Sequence, residues 1–123
     1  MSNVLIKRAY EPASAADGYR ILVDRLWPRG VSKEHAALDE WLKEIAPSPD
    51  LRTWWDHDPA RMAEFTVRYD SELEENTTAV QRLLDVAHAQ DTVTLIYAAH
   101  DPAVNHAVVL QRFMQARLTD AKS

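Results

Sequence analysis

Runs of mainly apolar residues predict three β-strands, at residues 4–10, 19–23 and 93–99. The second and third runs are apolar over most of their length, which is typical of central strands with both faces covered. Segments rich in proline, serine, aspartate or glycine follow the first and second runs and predict loops or turns there. The pattern therefore predicts a sheet buried between other elements.

Apolar residues at helical spacing predict four helices. Ser32 is a suitable N-cap for the first, the second starts near Pro59, the third follows a break at Asn76, and the fourth covers residues 102–118. Residues 51–58 are predicted to form a loop between the first two helices. The apolar stripes are Leu38, Trp41, Leu42 and Ile45; Met62, Phe65, Tyr69 and Leu73; Val80, Leu83, Leu84 and Ala87; and Val109, Leu110, Phe113 and Leu118.

The predicted order of elements is β-β-α-α-α-β-α. About sixty residues of helix separate the second and third strands, which favours a parallel crossover connection between them. We therefore expect one compact α/β domain over residues 1–123, with its core at about 4–118. Its sheet should be small, three-stranded and mostly parallel, with helices packed against it.

Composition narrows the class of protein and the chemistry it can perform. With 123 residues, four tryptophans and a net charge of -5, the chain fits one globular domain and disfavours a general nucleic-acid-binding surface. The absence of cysteine excludes disulfides, thiolate zinc sites and cysteine nucleophiles. No apolar run approaches the ~20 residues of a membrane span, and the stretch MSNVLIKRAY lacks the layout of a signal peptide. We expect a cytoplasmic protein with no membrane partner, and the sequence leaves its oligomeric state open.

The stretch HDPA occurs twice, at residues 57–60 and 100–103. In each copy an Asp-Pro pair precedes a predicted helix, where aspartate accepts hydrogen bonds from free backbone N–H groups and proline suits the first helical position. Capping explains the aspartates without any catalytic role, but it does not explain the histidines. His57 follows the tryptophan-rich loop, whereas His100 lies at the carboxyl end of the third strand, where α/β proteins bind ligands.

Charged residues at the ends of the second and third strands predict a ligand site. Asp24 and Arg25 directly follow the second strand, and parallel pairing would bring them to the same rim as the start of the last helix. His106 shares a helical face with Leu110 and Phe113 and therefore points inward below this rim. The expected catalytic residues are His106, as acid or base, and Asp24. The expected binding residues for a small anionic molecule are Arg25, Arg29, Asp101 and Asn105.

Strand alternation restricts this site, because it points Asp24 and Arg25 to opposite faces of the sheet. On this argument both cannot enter one pocket directly, whereas Arg29 lies beyond the strand and is free to turn either way. A structural interpretation stands beside the functional one. Asp24 and Arg25 can form a pair that fixes the loop, and His106 can be a satisfied core histidine.

Two other functions compete with anion binding. Tyrosine, histidine and carboxylate groups together suit iron or zinc, although no ligand spacing here matches a strong metal motif. In the other alternative, Trp54 and Trp55 form an exposed contact surface of a non-enzymatic interaction module, rather than packing in the core. The secondary site candidates are His57, Asp58, Tyr97 and His100.

Four segments resemble the YeaO-like family, small bacterial proteins within a larger family of unknown function. They are YRILVDRLWPRGVSKE, LDEWLKEIAPSPDLRTWWDHDP, EFTVRYDSEL and VTLIYAAHDPAVNHAVVL. The resemblance covers residues 4–118. It implies a cytoplasmic single-domain α/β protein and brings no particular reaction with it.

The resemblance also bears on single residues. Asp24 matches the aspartate of a Leu-Val-Asp-x-Arg strand in the larger family, and the stretch WWDHDP is typical of the close relatives, which favours a site at that helix start. Many distant relatives carry a Cys-His-Arg triplet where this chain has Asn105, His106 and Ala107. The histidine is therefore kept, while any mechanism that uses the cysteine is lost. The position of His100 more often holds a basic residue in close relatives.

Overall fold

Four parallel strands form a single sheet in the computed structural model, which describes residues 3–120 of the chain. Helices flank this sheet, which confirms the predicted α/β class, although the sheet has four strands instead of three. In chain order the elements are β1 (Asn3–Arg8), β2 (Tyr19–Leu22), α1 (Lys33–Ala36), β3 (Glu40–Trp41), α2 (Pro49–Trp55), α3 (Met62–Glu75), α4 (Thr77–Ala89), β4 (Thr92–Tyr97) and α5 (His106–Asp120). Short 3-10 turns lie at Ala15–Asp17, Lys43–Ile45 and Pro59–Arg61. Within residues 3–120, none of the helices combines the length and the apolar character needed to cross a membrane.

The last strand of the chain, β4, lies inside the sheet, in the order β1-β4-β2-β3. Its pairing with β1 runs from Asn3 opposite Thr92 to Arg8 opposite Tyr97. Every pair of strands is parallel, as predicted for the second and third apolar runs. The carboxyl ends of the strands therefore lie at the same end of the sheet. The chain leaves β2 toward β3 and leaves β4 in the opposite direction, toward α5, which packs on β1. Such a topological switch point is where open α/β sheets bind ligands.

The two faces of the sheet pack against different partners. Ile21 and Leu95 belong to a larger core, together with buried residues of α2, α3, α4 and α5. Leu22 and Ile96 belong to a smaller core, which includes residues of α1 and of the segments around it. Neighbouring residues of a strand reach different cores because side chains alternate along the strand. Both faces of the central strands are therefore covered, as their apolar sequences predict.

The first predicted helix is wrong over most of its length, because α1 is short and residues 40–45 form β3 and a 3-10 turn. Two of the four apolar residues in the supposed stripe, Leu38 and Trp41, pack in the smaller core. The other two, Leu42 and Ile45, pack in the larger core on the opposite side of the sheet. One helix face cannot reach both sides of a sheet, so the pairing of β3 with β2 overrides the helical periodicity.

The predicted loop at residues 51–58 is also wrong, because α2 occupies most of it. Ser48 Oγ accepts a hydrogen bond from the backbone N–H of Leu51, and Pro49 stands in the first turn. The Glu72 carboxylate of α3 accepts hydrogen bonds from the backbone N–H and the hydroxyl of Ser48, at 2.8 and 2.6 Å. Capping and this anchor to α3 stabilise a helix that is too short to show periodicity in the sequence.

The last helix, α5, begins at His106 rather than at Pro102. Asn105 Oδ1 accepts a hydrogen bond of 2.9 Å from the backbone N–H of Val108, which satisfies one free donor of the first turn. The Asp101 carboxylate instead accepts hydrogen bonds from two backbone N–H groups of the preceding turn. The second HDPA copy therefore forms a turn ahead of the helix and does not cap it.

A buried ion pair stabilises the other side of β2. Arg20 is only 3% exposed and donates a hydrogen bond of 2.5 Å to Asp17 Oδ2, while Lys7 Nζ lies 3.0 Å from Asp17 Oδ1. Burial alone would raise the pKa of Asp17, but hydrogen bonds from Lys7, Ser14 and Arg20 bring it below its usual value. The charge of Arg20 inside an otherwise apolar strand is thereby neutralised.

Gly18 provides a test of how tightly this region packs. Its φ of 63° favours glycine, and a Cβ at this position would lie 2.3 Å from the backbone oxygen of Thr92. We expect Gly18→Ala to lower the free energy of unfolding by about 3 kcal/mol, because steric overlap adds to backbone strain. Gly30→Ala is the matched control, since φ is 78° there and no atom lies within 4 Å of the added Cβ. It should cost only about 1–2 kcal/mol. Urea unfolding measures both losses, and equal losses would contradict the assigned packing.

Candidate functional site

A cleft of about 200 Å³ opens at the switch point, where the carboxyl ends of β2 and β4 meet. Three parts of the chain build it: the segment after β2, helix α2 with the turns on either side of it, and the segment from the end of β4 to the first residue of α5. Small-molecule sites in α/β proteins occur at this place in the fold. The cleft is lined by Asp24, Arg25, Leu26, Ala46, Pro47, Arg52, Trp55, His57, Ala98, Ala99 and His106.

Asp24 and His106 form a largely buried pair in this cleft, with side chains 17% and 11% exposed. His106 Nε2 lies 3.0 Å from the backbone oxygen of Val23 and 3.2 Å from Asp24 Oδ1. A ring nitrogen carries at most one hydrogen, and the geometry directs this hydrogen to the backbone oxygen of Val23 rather than to Asp24 Oδ1. Asp24 Oδ2 accepts a hydrogen bond of 3.0 Å from the backbone N–H of Ala98. The pair therefore ties the start of α5 to the ends of β2 and β4.

Burial shifts both groups of this pair toward their neutral forms. It raises the pKa of Asp24, and the charge of His106 and the hydrogen bond from Ala98 offset the effect only in part. Burial lowers the pKa of His106, against the opposing effects of Asp24 and of the hydrogen bond with Val23. The pKa of Asp24 thus lies above, and that of His106 below, the ordinary value of the same group. Such shifts in a cleft are typical of functional sites, although structural ion-pair networks also produce them.

Two arginines reach the cleft from different elements. Arg25 donates from Nη2 to the backbone oxygens of Ala46 and Pro47, at 3.4 Å each. Arg52 lies on α2 with an exposed side chain. Neither guanidinium forms an ion pair within residues 3–120, unlike that of Arg20. The cleft therefore contains two positive charges that no carboxylate of the described chain neutralises by direct contact.

Both Asp24 and Arg25 line the cleft, contrary to the argument from strand alternation. The strand β2 ends at Leu22, so both residues follow its last paired position. Side chains alternate between faces only while the chain remains extended in the sheet. The sequence pattern places the end of this strand at Val23, one residue too late. The alternation rule therefore does not apply to Asp24 and Arg25, which follow the strand.

The turn after α2 places His57 against the cleft. Asp56 and His57 both have left-handed backbone conformations, with φ of 50° and 52°, although neither is glycine. The His57 ring centroid lies 4.7 Å from that of Trp55, and Trp55 stacks on Phe65 at 3.8 Å. Residues other than glycine in this conformation are unfavourable by about 1–3 kcal/mol each, and such strain clusters at functional sites. Trp55 and His57 both line the cleft, and the stacking of Trp55 on Phe65 anchors this wall to the core.

Three buried polar atoms of cleft residues have no hydrogen-bond partner within residues 3–120. They are Asp24 Oδ1, Arg25 Nε and Trp55 Nε1. Buried polar atoms in native proteins are nearly always hydrogen-bonded, because an unsatisfied one costs about 1–3 kcal/mol. All three atoms are closed to solvent, and the side chains that carry them line the cleft.

Asp101, Asn105 and His100 lie beside the cleft rather than in it. Asn105 is buried, and its Nδ2 donates to the backbone oxygen of Asp101, so both side chains serve the turn before α5. His100 is exposed, with Nδ1 lying 3.3 Å from Nη2 of Arg8. Asp101 and His100 line an adjoining depression of about 250 Å³, and His57 lines it as well. The structure thus places these predicted residues next to the cleft without making them part of its lining.

Three further candidates lie outside the cleft. Arg29 is exposed and does not line it. Asp58 Oδ1 accepts a hydrogen bond of 2.9 Å from the backbone N–H of Ala60, which is the capping role predicted for the first HDPA copy. Tyr97 is buried in the larger core, and burial raises the pKa of its hydroxyl. Capping and packing account for the observed positions of Asp58 and Tyr97.

The tryptophan pair does not form the exposed surface that the interaction hypothesis requires. Trp55 is 1% exposed and belongs to the larger core. Trp54 is half-buried, and the guanidinium carbons of Arg61 and Arg68 lie 5.4 and 4.3 Å from the centroid of its ring. The aromatic surface of Trp54 is thus already engaged by the protein's own cations.

Potential metal ligands do not converge in the described part of the chain. Asp24 and His106 are close to each other, but within residues 3–120 no group of three or more histidine, aspartate or glutamate side chains is placed to hold a metal ion. Tyr97, another predicted ligand, lies in the core.

The sequence pattern does not identify Arg52 as a site residue, because it assigns residues 51–58 to a loop. A local signal was available in Ser48 and Pro49, which match an N-cap followed by a proline in the first turn. With a helix starting there, Arg52 and Trp55 are three residues apart and lie on one side of it. Helix capping, rather than periodicity, is the feature that predicts this part of the cleft.

Comparisons with known proteins give a family and no reaction. A family model described as the inactive DUF488-N3 subclade matches residues 3–123. The chain is 46% identical over 114 residues to the uncharacterized protein YeaO of Escherichia coli K12, covering 93% of this chain and 98% of that protein. It is 36% identical over 116 residues to the uncharacterized proteins Mb3100c of Mycobacterium bovis and Rv3073c of Mycobacterium tuberculosis H37Rv, covering 94% of this chain and 97% of each relative. No solved structure matches significantly. The chain therefore belongs to the inactive DUF488-N3 subclade and is a YeaO-like protein.

Proposed function

We propose that this protein is a cytoplasmic protein that binds a small anion in the cleft between the ends of β2 and β4. One observation carries the proposal: Arg25 and Arg52 reach the same cleft from separate elements, and neither forms a direct ion pair within residues 3–120, the charge of Arg52 acting on Asp24 only through space. Guanidinium groups bind carboxylates and phosphates through strong charge-assisted hydrogen bonds. The position at the switch point of the sheet supports the same function.

Binding without turnover fits the site better than catalysis does. The family is described as inactive, and the chain carries Asn105 at the position where the resemblance implies a cysteine in distant relatives. His106 and Asp24 remain as a possible acid–base pair. However, His106 Nε2 is engaged by the backbone of Val23, and Asp24 Oδ2 is engaged by the backbone N–H of Ala98. In this proposal the pair shapes the cleft and contacts the ligand.

Replacing Arg52 tests the proposed anion site. Because its side chain is exposed, Arg52→Gln should leave the fold intact. We expect it to weaken the binding of phosphate, and of lactate titrated separately, about tenfold, the loss of one charge-assisted hydrogen bond. Titrations followed by ¹⁵N–¹H correlation spectra at pH 7 measure both affinities and show which residues respond.

Arg112→Gln is the matched control for this experiment. Arg112 is exposed on α5 and lines a different groove, between α3 and α5. Arg112→Gln removes the same charge as Arg52→Gln and should leave the affinities for phosphate and for lactate unchanged. If Arg52→Gln and Arg112→Gln weaken binding equally, the attraction is a general charge effect and the proposed site is wrong. Failure of both anions to perturb any cleft residue of the unmodified protein would also overturn it.

The buried position of His106 predicts a pH dependence of stability. Burial holds the pKa of His106 below the ordinary value of 6.5, so the unfolded chain takes up this proton first. The contribution of His106 to stability is therefore full above about pH 6.5 and is lost as pH falls through the folded-state pKa. We expect His106→Gln to lose less stability than the unmodified protein between pH 7.5 and 5. The difference is limited to about 1.4 kcal/mol per pH unit.

Urea unfolding at several pH values measures this effect. His88→Gln, an exposed position on α4, is the control and should follow the unmodified protein. Asp24 acts with the opposite sign: its raised pKa favours the folded state at low pH and this contribution is lost as pH rises. It therefore cannot produce the predicted acid loss. Parallel stability curves for His106→Gln and the unmodified protein would show that His106 is not held neutral by burial.

A further inference from the structure

We propose that the ligand of this cleft is an anion that carries its own hydrogen-bond donor next to the charged group, such as a 2-hydroxy acid or a protonated phosphate. The inference rests on the proposed anion site and specifies the chemical class that the site selects. It follows from three buried atoms that have no hydrogen-bond partner within residues 3–120, the acceptor Asp24 Oδ1 and the donors Arg25 Nε and Trp55 Nε1. The side chains that carry them line one cleft of about 200 Å³.

The carboxylate of Asp24 is the selective element. Its Oδ2 atom accepts the backbone N–H of Ala98, but Oδ1 has only the neighbouring Nε2 of His106, whose hydrogen is directed to the backbone oxygen of Val23. A bare anion brought beside this carboxylate would be repelled. A ligand that presents an O–H or N–H group there would replace that repulsion by a hydrogen bond to Oδ1.

Trp55 supplies a fixed donor for the anionic end of the ligand. Its side chain is 1% exposed and stacks on Phe65 at 3.8 Å, so the indole is held in place by the core. Its N–H group nevertheless has no partner within residues 3–120, although buried tryptophan N–H groups usually find one. Together with Nε of Arg25, it gives the cleft two donors for the oxygens of an anion.

The cleft is small and its remaining lining includes apolar side chains. Leu26, Pro47 and Ala98 contribute apolar surface, which suits a short aliphatic skeleton better than a polyanion. A carboxylate ligand and a phosphate ligand would suit the cleft for the same reason, because each can be an oxyanion with an adjacent hydrogen-bond donor. Two pairs of small anions distinguish the two ligand classes.

Two pairs of probes differ by this donor. Lactate adds a hydroxyl group to propionate, and phosphate near pH 7 keeps a hydroxyl group that sulfate lacks. If the ligand is a carboxylate, we expect lactate to bind at least about tenfold more tightly than propionate. If the ligand is a phosphate, we expect phosphate to bind at least about tenfold more tightly than sulfate. The readout is the indole N–H resonance of Trp55 in ¹⁵N–¹H spectra, after sequential assignment of the four tryptophans. Selection in the first pair alone would indicate a carboxylate ligand, and selection in the second alone a phosphate.

Asp24→Asn tests the assigned acceptor, because its amide oxygen can still accept the N–H of Ala98. Removing the charge should strengthen the binding of propionate and sulfate and bring the members of each pair within about twofold. Asp85→Asn, the same change at an exposed position of α4 outside the cleft, should leave the ratios unaltered. Equal affinities within both pairs in the unmodified protein, or ratios that persist in Asp24→Asn, would overturn this inference while leaving the anion site standing. If none of the four anions moves the Trp55 resonance, the proposed function falls with it.

Discussion

The parallel pairing of β4 between β1 and β2 is the constraint on which the rest of this structure depends. It places β4 in the interior of the sheet, paired in parallel with β1 on one side and with β2 on the other. The chain then leaves β2 and β4 in opposite directions, which opens a gap above their ends. The hydrogen bond between His106 and the backbone oxygen of Val23 ties the first residue of α5 to the end of β2. The same contact that closes the fold thus forms part of the cleft.

The buried Arg20 and the two arginines of the cleft are stabilised in different ways. At Arg20 the guanidinium is buried, and Asp17 and the backbone oxygen of Ala36 satisfy it. A charge inside a small core requires such satisfaction, since an unpaired buried ion is strongly destabilising. Arg25 and Arg52 are less buried and form no direct ion pair within residues 3–120. Because Arg52 is exposed, water solvates its charge, and a ligand can compete with that water.

The parts of the fold that the sequence predicts are those in which local pattern and tertiary packing agree. The apolar runs around Ile21 and Leu95 identify the central strands because both faces of these strands are covered. Asp24 and His106 are brought together, as parallel strands require, although their role as catalytic residues stays a prediction. The helical interpretation of residues 38–45 fails because their apolar side chains pack on opposite sides of the sheet, which depends on a pairing partner far away in sequence. Arg52 is missed for a related reason: a helix as short as α2 is specified by capping and by Glu72, a residue of another helix.

The course of β1 has a practical consequence for handling the protein. This strand runs parallel to β4 and begins at Asn3, at the edge of the sheet opposite the cleft. Its six residues span about 20 Å. A tether attached at Asn3 would therefore leave the molecule from the end of the sheet opposite the cleft. A protein immobilised on a sensor surface through such a tether would turn the cleft toward the solution and leave it open to small molecules.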